Sequence, residues 1–171
     1  VPLVVAGVND DAVREHKGLI ANPNCSTMTL MMAAGPLHRA AGLTSMVAVT
    51  YQSVSGSGHK GVDELIEQTD FLRPDIDGLM DGTAPEPQPK LYERPIGFNV
   101  LPYAGSASGE DGYTDEELKL VKETRKILGA PGIEVEPTCV RVPVIVGHGV
   151  AATMWFSRPV TVEEAESILS D

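Results

Sequence analysis

The chain has 171 residues, of which 42% are hydrophobic and 22% are charged, and this composition is typical of a single folded globular domain. No apolar run approaches the ~18 residues that a membrane-spanning helix needs. Acidic residues number 24 and basic residues 13, so the formal net charge is -11. This balance argues against nucleic acid or an anionic membrane as a partner, because both need a basic surface. It leaves room for a small anionic substrate held by a few local cations.

Two cysteines, Cys25 and Cys139, are too few for a disulfide framework, so we predict a reducing, cytoplasmic location. The chain opens at Val1 without Met and without the basic region of a signal peptide. It stops at Asp171, inside or just after a helical pattern. Both ends look cut, which suggests a domain taken from a longer protein.

The first half of the chain predicts a strand, a helix, a second strand and a second helix. Gly35-Pro36 should bend or break the first helix. In chain order the predicted elements are an extended segment at 1–8, a helix at 26–41, a strand at 46–52, a glycine-rich loop at 53–61 and a helix at 63–79 weakly interrupted at Pro74.

The second half begins with a proline-rich arm and ends in two strands and a helix. Thr114 and Glu117 form a capping box at the start of the clearest helix. Two late strands joined tightly favour antiparallel pairing with each other, and an earlier helix between strands favours a parallel crossover. Together these predict an α+β domain with a mixed sheet and helices packed on it. The predicted elements are the arm at 82–95, a helix at 114–128, strands at 133–146 and 149–157, and a helix from Thr161.

Cys25 lies where a turn, residues 22–25, meets a predicted helix. A thiol at a helix N-terminus faces free backbone N–H groups and the positive end of the helix dipole, which favour a thiolate and can hold an oxyanion. A buried structural cysteine is the plainer interpretation. Asn24, directly before it, fits an N-cap.

His148 and Arg141 are the other candidates near the C-terminus. His148 lies between two glycines that leave room for a ligand, and histidine is the usual proton shuttle near neutral pH. A solvent-facing turn histidine fits that segment equally well. Arg141 stands in an apolar strand, where a guanidinium must be paired, with a substrate carboxylate or across strands in a salt bridge.

Other segments give weaker signals. Glu116 and Lys119 share one face of the predicted helix, where a simple solvated pair is the plainer interpretation. Gln52 closes a strand and precedes a glycine-rich turn that can approach a ligand closely. No metal-ligand spacing occurs among the histidines and cysteines, so we predict no metal.

Taken together and in this order, these motifs resemble the catalytic and dimerisation domain of aspartate-semialdehyde dehydrogenases of a bacterial, actinobacterial-like type. Residues 20–27 are similar to the family's active-site cysteine motif, and residues 50–58 to its strand-end glutamine with the following Ser-Gly loop. Residues 115–119 resemble the start of a family helix, and Arg141 with His148 resembles its arginine and histidine pair. The resemblance covers essentially the whole chain, although Ala6-Gly7 stand where Pro-Glu is more usual.

The resemblance implies catalytic roles for three residues and a substrate-binding role for Gln52. Cys25 would be the nucleophile that forms a thioester, and Asn24 would help to hold the oxyanion. His148 would be the general acid/base, and Gln52 would orient the acyl group.

The resemblance also implies binding roles. Arg141 would bind the substrate's α-carboxylate, Glu116 its ammonium group, and Lys119 the phosphate. Ser55 and Gly56 would touch the nicotinamide end of NADP.

The family resemblance implies NADP-dependent reductive dephosphorylation of L-aspartyl-4-phosphate to the semialdehyde, in lysine, methionine, threonine and diaminopimelate synthesis. It implies a homodimer and a fold like the C-terminal domain of glyceraldehyde-3-phosphate dehydrogenase. Residues 1–171 would be the catalytic and dimerisation domain alone. The N-terminal Rossmann domain that binds NADP and a C-terminal return segment would be absent, so this chain alone should be inactive.

Three alternatives remain. An N-acetyl-glutamyl-phosphate reductase shares the chemistry, but Asn24 and Ser26 stand where that family usually has glycine and an aromatic residue. A cysteine hydrolase would use Cys25 and His148 but has no need of the charged set around Arg141. A non-catalytic dimerisation module is the third.

Overall fold

The computed structural model describes residues 1–109 and 111–170, which form a three-stranded sheet with helices packed against it. The strands are β1 (Leu43–Gln52), β2 (Glu134–Arg141) and β3 (Gly149–Phe156). The α-helices in the described residues are α1 (Cys25–Ala41), α2 (His59–Leu72), α3 (Ile76–Asp81), α4 (Asp115–Ile127) and α5 (Val162–Ser170). Short 3₁₀ helices lie at Asp10–Glu15, Val54–Ser57 and Arg73–Asp75.

The sheet has the order β2-β1-β3, with β1 parallel to β2 and antiparallel to β3. The predicted mixed sheet is confirmed, but the predicted pairing of the two late strands with each other is wrong. β2 ends at Arg141, and the chain then crosses the end of β1. There the N–H of Val142 donates to the carbonyl of Gln52 at 3.0 Å, and the N–H of Val54 donates to the carbonyl of Val144 at 2.9 Å. This crossing places β3 on the far side of β1.

Helix α1 is continuous through Pro36, so the predicted break is wrong. Proline removes one hydrogen bond, to the carbonyl of Met32, and Met32 lies on the exposed side of the helix at 55% exposure, where water can replace that bond. Gly35 is needed for close packing, because a Cβ there would lie 2.6 Å from Cγ1 of Val8. The helix ends at Gly42, whose φ of 69° suits glycine.

The main core lies between one face of the sheet and helices α1 and α4. Met31, Met46, Ala48 and Leu120 are at most 1% exposed in this core. Truncating Met31 to alanine would cost about 2–5 kcal/mol of folding free energy. The opposite face of the sheet is open, and Trp155 on β3 is 50% exposed there.

The proline-rich arm is ordered by polar side chains of α2. The carboxylate of Glu64, 3% exposed, accepts bonds from the backbone N–H groups of Lys90 and Leu91 at 2.9 and 2.6 Å. Gln68 accepts from the N–H of Ile96 at 2.7 Å. These bonds hold the arm against α2. Among the residues described, no helix is both long and apolar enough to span a membrane.

Candidate active site

The thiol of Cys25 lies at the first residue of α1, exposed to solvent, with its Sγ 3.0 Å from Nε2 of His148. The side chain of Asn24 caps the helix by accepting a bond from the N–H of Ser26 at 2.9 Å. His148 follows the crossing segment beyond β2, which carries it over the end of β1 to the start of α1. The fold therefore brings Cys25 and His148 together.

Ser53 contacts the other side of the His148 ring. Its backbone N–H donates to Nδ1 of His148 at 3.1 Å, and its Oγ lies 3.0 Å from the same nitrogen. Burial lowers the pKa of His148 below its ordinary value, and the positive charge of Arg141 lowers this pKa further. The nearby carboxylate of Glu116 acts in the opposite direction. The imidazole is thus biased toward its neutral form.

Arg141 ends β2 next to Gln52, its partner in the parallel register with β1. It is 8% exposed, its Nη1 donates to the carbonyl of Ser53 at 2.8 Å, and its guanidinium carbon lies 5.9 Å from the ring centre of Tyr92. Nε of Arg141 and Nε2 of Gln52 are buried and have no partner among the described residues. Two adjacent buried donors without acceptors fit a ligand that brings oxygen atoms.

Asn24 connects the thiol to helix α4. Its Nδ2 donates to Oε2 of Glu116 at 2.6 Å, and its backbone N–H donates to Oε2 of Glu123 at 2.9 Å. Its Oδ1 lies 3.9 Å from Sγ of Cys25. The amide to which the family resemblance gives an oxyanion role therefore points one donor at Glu116, and that role stays a prediction.

Lys119 lies one turn along α4, between two carboxylates. Its Nζ is 2.9 Å from Oδ2 of Asp115 and 3.2 Å from Oε1 of Glu116. The hydrogen bond to Asp115 is the main cause that raises the pKa of Lys119. The side chain is 47% exposed, so this cation can turn toward an anion from solvent.

The Ser-Gly loop covers the ring of His148. A Cβ on Gly56 would lie 3.5 Å from Nε2 of His148 and 3.5 Å from Nη1 of Arg141, so the missing side chain leaves open space beside both groups. Ser55 is anchored by its N–H to the carbonyl of Ile145 at 3.1 Å, and its Oγ lies 3.1 Å from that of Ser53. No cluster of three or more His, Cys, Asp or Glu side chains able to hold a metal occurs in the part of the chain that the structure describes.

Cys139 is buried in β2 at 1% exposure. Burial raises the pKa of this thiol to about 11, so it stays protonated and unreactive. Its backbone N–H donates to the carboxylate of Glu117 at 2.9 Å.

Three residues of the site carry no strong sequence signal. Ser53 falls inside the glycine-rich motif but is hidden by its neighbours there. Glu123 is one of many acidic helix residues, and Tyr92 reaches Arg141 from the distant arm. The chain crossing after β2 brings Ser53 and His148 together, the docked arm brings Tyr92 to Arg141, and the packing of α4 beside α1 brings Glu123 to Asn24.

The family model described as semialdehyde dehydrogenase, dimerisation domain, matches residues 34–171. The chain belongs to this semialdehyde dehydrogenase family. It is 51% identical, over 176 residues, to the aspartate-semialdehyde dehydrogenase of Streptomyces akiyoshiensis, and the match covers 100% of this chain and 52% of that protein. The chain spans about half the length of the curated relatives it matches.

Solved structures of the family share the fold. Aspartate semialdehyde dehydrogenase II of Vibrio cholerae, complexed with ASA, has a TM-score of 0.88 and 39% identity, with 99% of this chain and 48% of that chain covered. The Candida albicans enzyme with NADP has a TM-score of 0.62 and 25% identity, covering 98% of this chain and 43% of that one. The predicted fold class and family resemblance are confirmed.

Proposed function

We propose that the longer protein to which this chain belongs reduces L-aspartyl-4-phosphate to L-aspartate 4-semialdehyde with NADP as cofactor. One observation carries the proposal: a thiol at a helix N-terminus lies 3.0 Å from an imidazole. Nε2 of Gln52 and Nε of Arg141 are buried N–H donors without an acceptor. The oxygen atoms of an acyl phosphate that also carries a carboxylate can accept hydrogen bonds from them. This reaction serves lysine, methionine, threonine and diaminopimelate synthesis.

Cys25 is the nucleophile of this mechanism. Its thiolate attacks the acyl carbon, a C–S bond forms, and collapse of the tetrahedral oxyanion breaks the bond to phosphate, leaving a thioester. The backbone N–H groups at the start of α1 and the amide of Asn24 hold the oxyanion. His148 is the acid–base residue, with Nε2 facing the sulfur.

The charged residues bind the rest of the substrate. Arg141 takes the α-carboxylate in its planar fork, and Glu116 takes the ammonium group. Lys119 exchanges its carboxylate partners for the phosphate. Gln52 orients the acyl oxygen with its free Nε2 donor.

The cofactor binds mainly through a part of the protein outside this chain. Ser55 and Gly56, which lie near His148 and Arg141, would hold the edge of the nicotinamide. NADPH would supply the hydride that converts the thioester to the aldehyde. The structure of the Candida albicans enzyme with NADP supports the choice of cofactor.

Homodimer formation through the open sheet face is the proposed assembly. Val47, Tyr51 and Trp155 are 39%, 46% and 50% exposed on that face, and the family model is a dimerisation domain. Tyr51→Glu with Trp155→Glu should give monomers by analytical ultracentrifugation. Val162→Glu, at a 70% exposed position on α5, should leave the dimer intact.

The nucleotide-binding half is proposed to lie outside residues 1–171, so this chain alone should show no dehydrogenase activity. Calorimetric titration of the isolated chain with NADPH should show no binding at concentrations that saturate the full-length enzyme. Tight binding would contradict this division of the cofactor site. The free thiols of Cys25 and Cys139 support a cytoplasmic location.

The test of function is phosphate-dependent oxidation of aspartate semialdehyde with NADP⁺ by the full-length protein. Activity should require phosphate, and N-acetyl-glutamate semialdehyde should be a poor substrate. Phosphate-independent ester or amide hydrolysis would favour a cysteine hydrolase instead. The relatives at 51% and 39% identity are both named aspartate-semialdehyde dehydrogenases, which supports the dehydrogenase over the hydrolase.

A further inference from the structure

The residues of α1 complete only half of the cap at its N-terminus. Asn24 is the N-cap, and its Oδ1 accepts a bond from the N–H of Ser26 at 2.9 Å. In a full capping box, a Glu or Gln three residues later also accepts a bond from the backbone N–H of the N-cap residue. That position is Thr27, and the first turn of α1 has no acidic residue.

Glu123 of α4 supplies the missing acceptor. Its Oε2 accepts from the backbone N–H of Asn24 at 2.9 Å, although the two residues are 99 positions apart in the chain. Helix α4 caps its own start with the same kind of bond, because the carboxylate of Glu117 accepts from the N–H of Thr114 at 2.8 Å. Glu123 therefore does for α1, from a second helix, what Glu117 does within α4.

Helix α4 is held firmly enough to present Glu123 to α1. The carboxylate of Glu117 also accepts from the backbone N–H of Cys139 at 2.9 Å, which ties the helix to β2. Leu120 and Thr124, in the turn around Glu123, are 0% exposed. The carboxylate that reaches Asn24 thus belongs to a packed part of the domain.

Two carboxylates on one face of α4 share the contacts with Asn24. Glu116 lies about two helical turns before Glu123 and accepts from Nδ2 of Asn24 at 2.6 Å. Glu116 is also the proposed partner of the substrate's ammonium group, so its bond to the amide competes with substrate. The bond from the main chain of Asn24 to Glu123 has no such competitor, and it holds the backbone beside Cys25 throughout the reaction.

We propose that Glu123 is a positioning residue that closes the capping box of α1 from a second helix and thereby fixes the main chain that carries Cys25. For its meaning in catalysis this inference rests on the proposed function. A carboxylate at position 27 would complete the same box, but it would stand in the first turn and oppose a thiolate or an oxyanion there. Its placement on α4 orders this turn and keeps acidic side chains out of it.

The step that depends on this order is the attack of the Cys25 thiolate on the acyl carbon. A small displacement of a reacting group can lower the rate about 100-fold, because the attacking atom must be aligned with its target. Arg141 and Lys119, the proposed ligands of the carboxylate and the phosphate, stand on other parts of the fold than this cap. Loss of the Glu123 bond should therefore lower kcat and leave both KM values nearly unchanged.

The test compares Glu123→Gln with Glu123→Met in the full-length enzyme. Both side chains are neutral and similar in length, but the amide oxygen of Gln accepts a hydrogen bond, whereas the thioether of Met is a weak acceptor. We expect kcat to fall roughly 10- to 100-fold in the Met variant and to stay within about threefold of wild type in the Gln variant. The KM values for semialdehyde and phosphate should change less than about threefold in both variants.

Alkylation of Cys25 by iodoacetamide gives a second measurement, which needs no turnover. The rate of modification is followed by mass spectrometry of the peptide that contains Cys25, without substrate at neutral pH. It should fall about tenfold in the Met variant, because a loosened first turn no longer holds its N–H groups at the sulfur. The Gln variant should react like wild type. Glu166→Met, an exposed glutamate replaced on α5, is the matched control and should also react like wild type.

Three results would overturn the proposal. Equal losses in the Gln and Met variants would show that Glu123 acts through its charge. Unchanged alkylation and kcat in the Met variant would show that the bond does not order Cys25, and an effect confined to KM would place Glu123 with the substrate ligands. If the Met variant does not fold, Glu123→Ala takes its place, and slow alkylation in the Gln variant alone still overturns the proposal.

The two measurements separate this inference from the proposed function. An active dehydrogenase in which the Met variant equals wild type rejects the role of Glu123 alone. A full-length protein without dehydrogenase activity, but with alkylation slowed in the Met variant and not in the Gln variant, rejects the proposed function alone.

Discussion

Arg141 donates from Nη1 to the backbone carbonyl of Ser53 at 2.8 Å, and the N–H of the same serine donates to the ring of His148. One residue at the end of β1 therefore orients both the cation proposed to bind the substrate and the imidazole proposed to act on it. Because Ser53 is 0% exposed, solvent cannot compete for these bonds. The two groups keep a fixed separation before any ligand arrives.

Arg141→Lys should raise the KM for aspartate semialdehyde roughly 10- to 100-fold, because a hydrogen bond to a charged group contributes about 1.5–3 kcal/mol. A lysine ammonium cannot reproduce the planar fork or hold Ser53 and a carboxylate together. Steady-state kinetics on the full-length enzyme measures this. Arg125→Lys is the control, since its Nε donates to the carbonyl of Ile133 in another part of the domain. Unchanged semialdehyde affinity in Arg141→Lys would show that the carboxylate binds elsewhere.

Lys119→Ala should raise the apparent KM for phosphate about tenfold while changing that for the semialdehyde much less. This tenfold rise corresponds to the low end of the free energy of a charged hydrogen bond, because the side chain of Lys119 is 47% exposed and solvent weakens the bond. Varying phosphate at saturating semialdehyde measures the effect. Lys126→Ala, which removes a lysine from the far end of the same helix, is the control. A selective rise for the semialdehyde would assign Lys119 to the other end of the substrate.

His148 should make the protein less stable as pH falls. Burial and the charge of Arg141 lower the pKa of His148 below its ordinary value of 6.5, so below that pH the unfolded chain takes up a proton that the folded protein resists. The stabilisation is complete above the ordinary pKa and is lost as pH falls through the folded pKa. Relative to His148→Gln, the wild-type melting temperature should fall from pH 7 to pH 5, whereas exposed His16→Gln should track the wild type. If the melting temperatures of the wild type and His148→Gln changed with pH in parallel, the lowered pKa of His148 would be contradicted.

Local signals in the sequence predicted the parts of the site that local structure builds. The cap at Asn24 and the capping box of Thr114 and Glu117 are interactions between near neighbours, and the structure contains both. The order of the strands depends on where residues 142–148 cross β1, and hydrophobic alternation carries no information on that crossing. Ser53 and Tyr92 join the site only through this crossing and the arm, so their contacts were not predictable from spacing.

The most direct test of the thioester route is a rapid-quench experiment on the full-length enzyme with aspartate semialdehyde and NADP⁺ but no phosphate. We predict a burst of about one NADPH per subunit, as acyl-enzyme accumulation implies, and an acylated peptide containing Cys25. Cys139→Ala should keep the burst and lose about 1–2 kcal/mol of stability, in the usual range for a core substitution. Cys25→Ala should show neither burst nor turnover. Wild-type turnover in Cys25→Ala, or acylation at another residue, would contradict the mechanism.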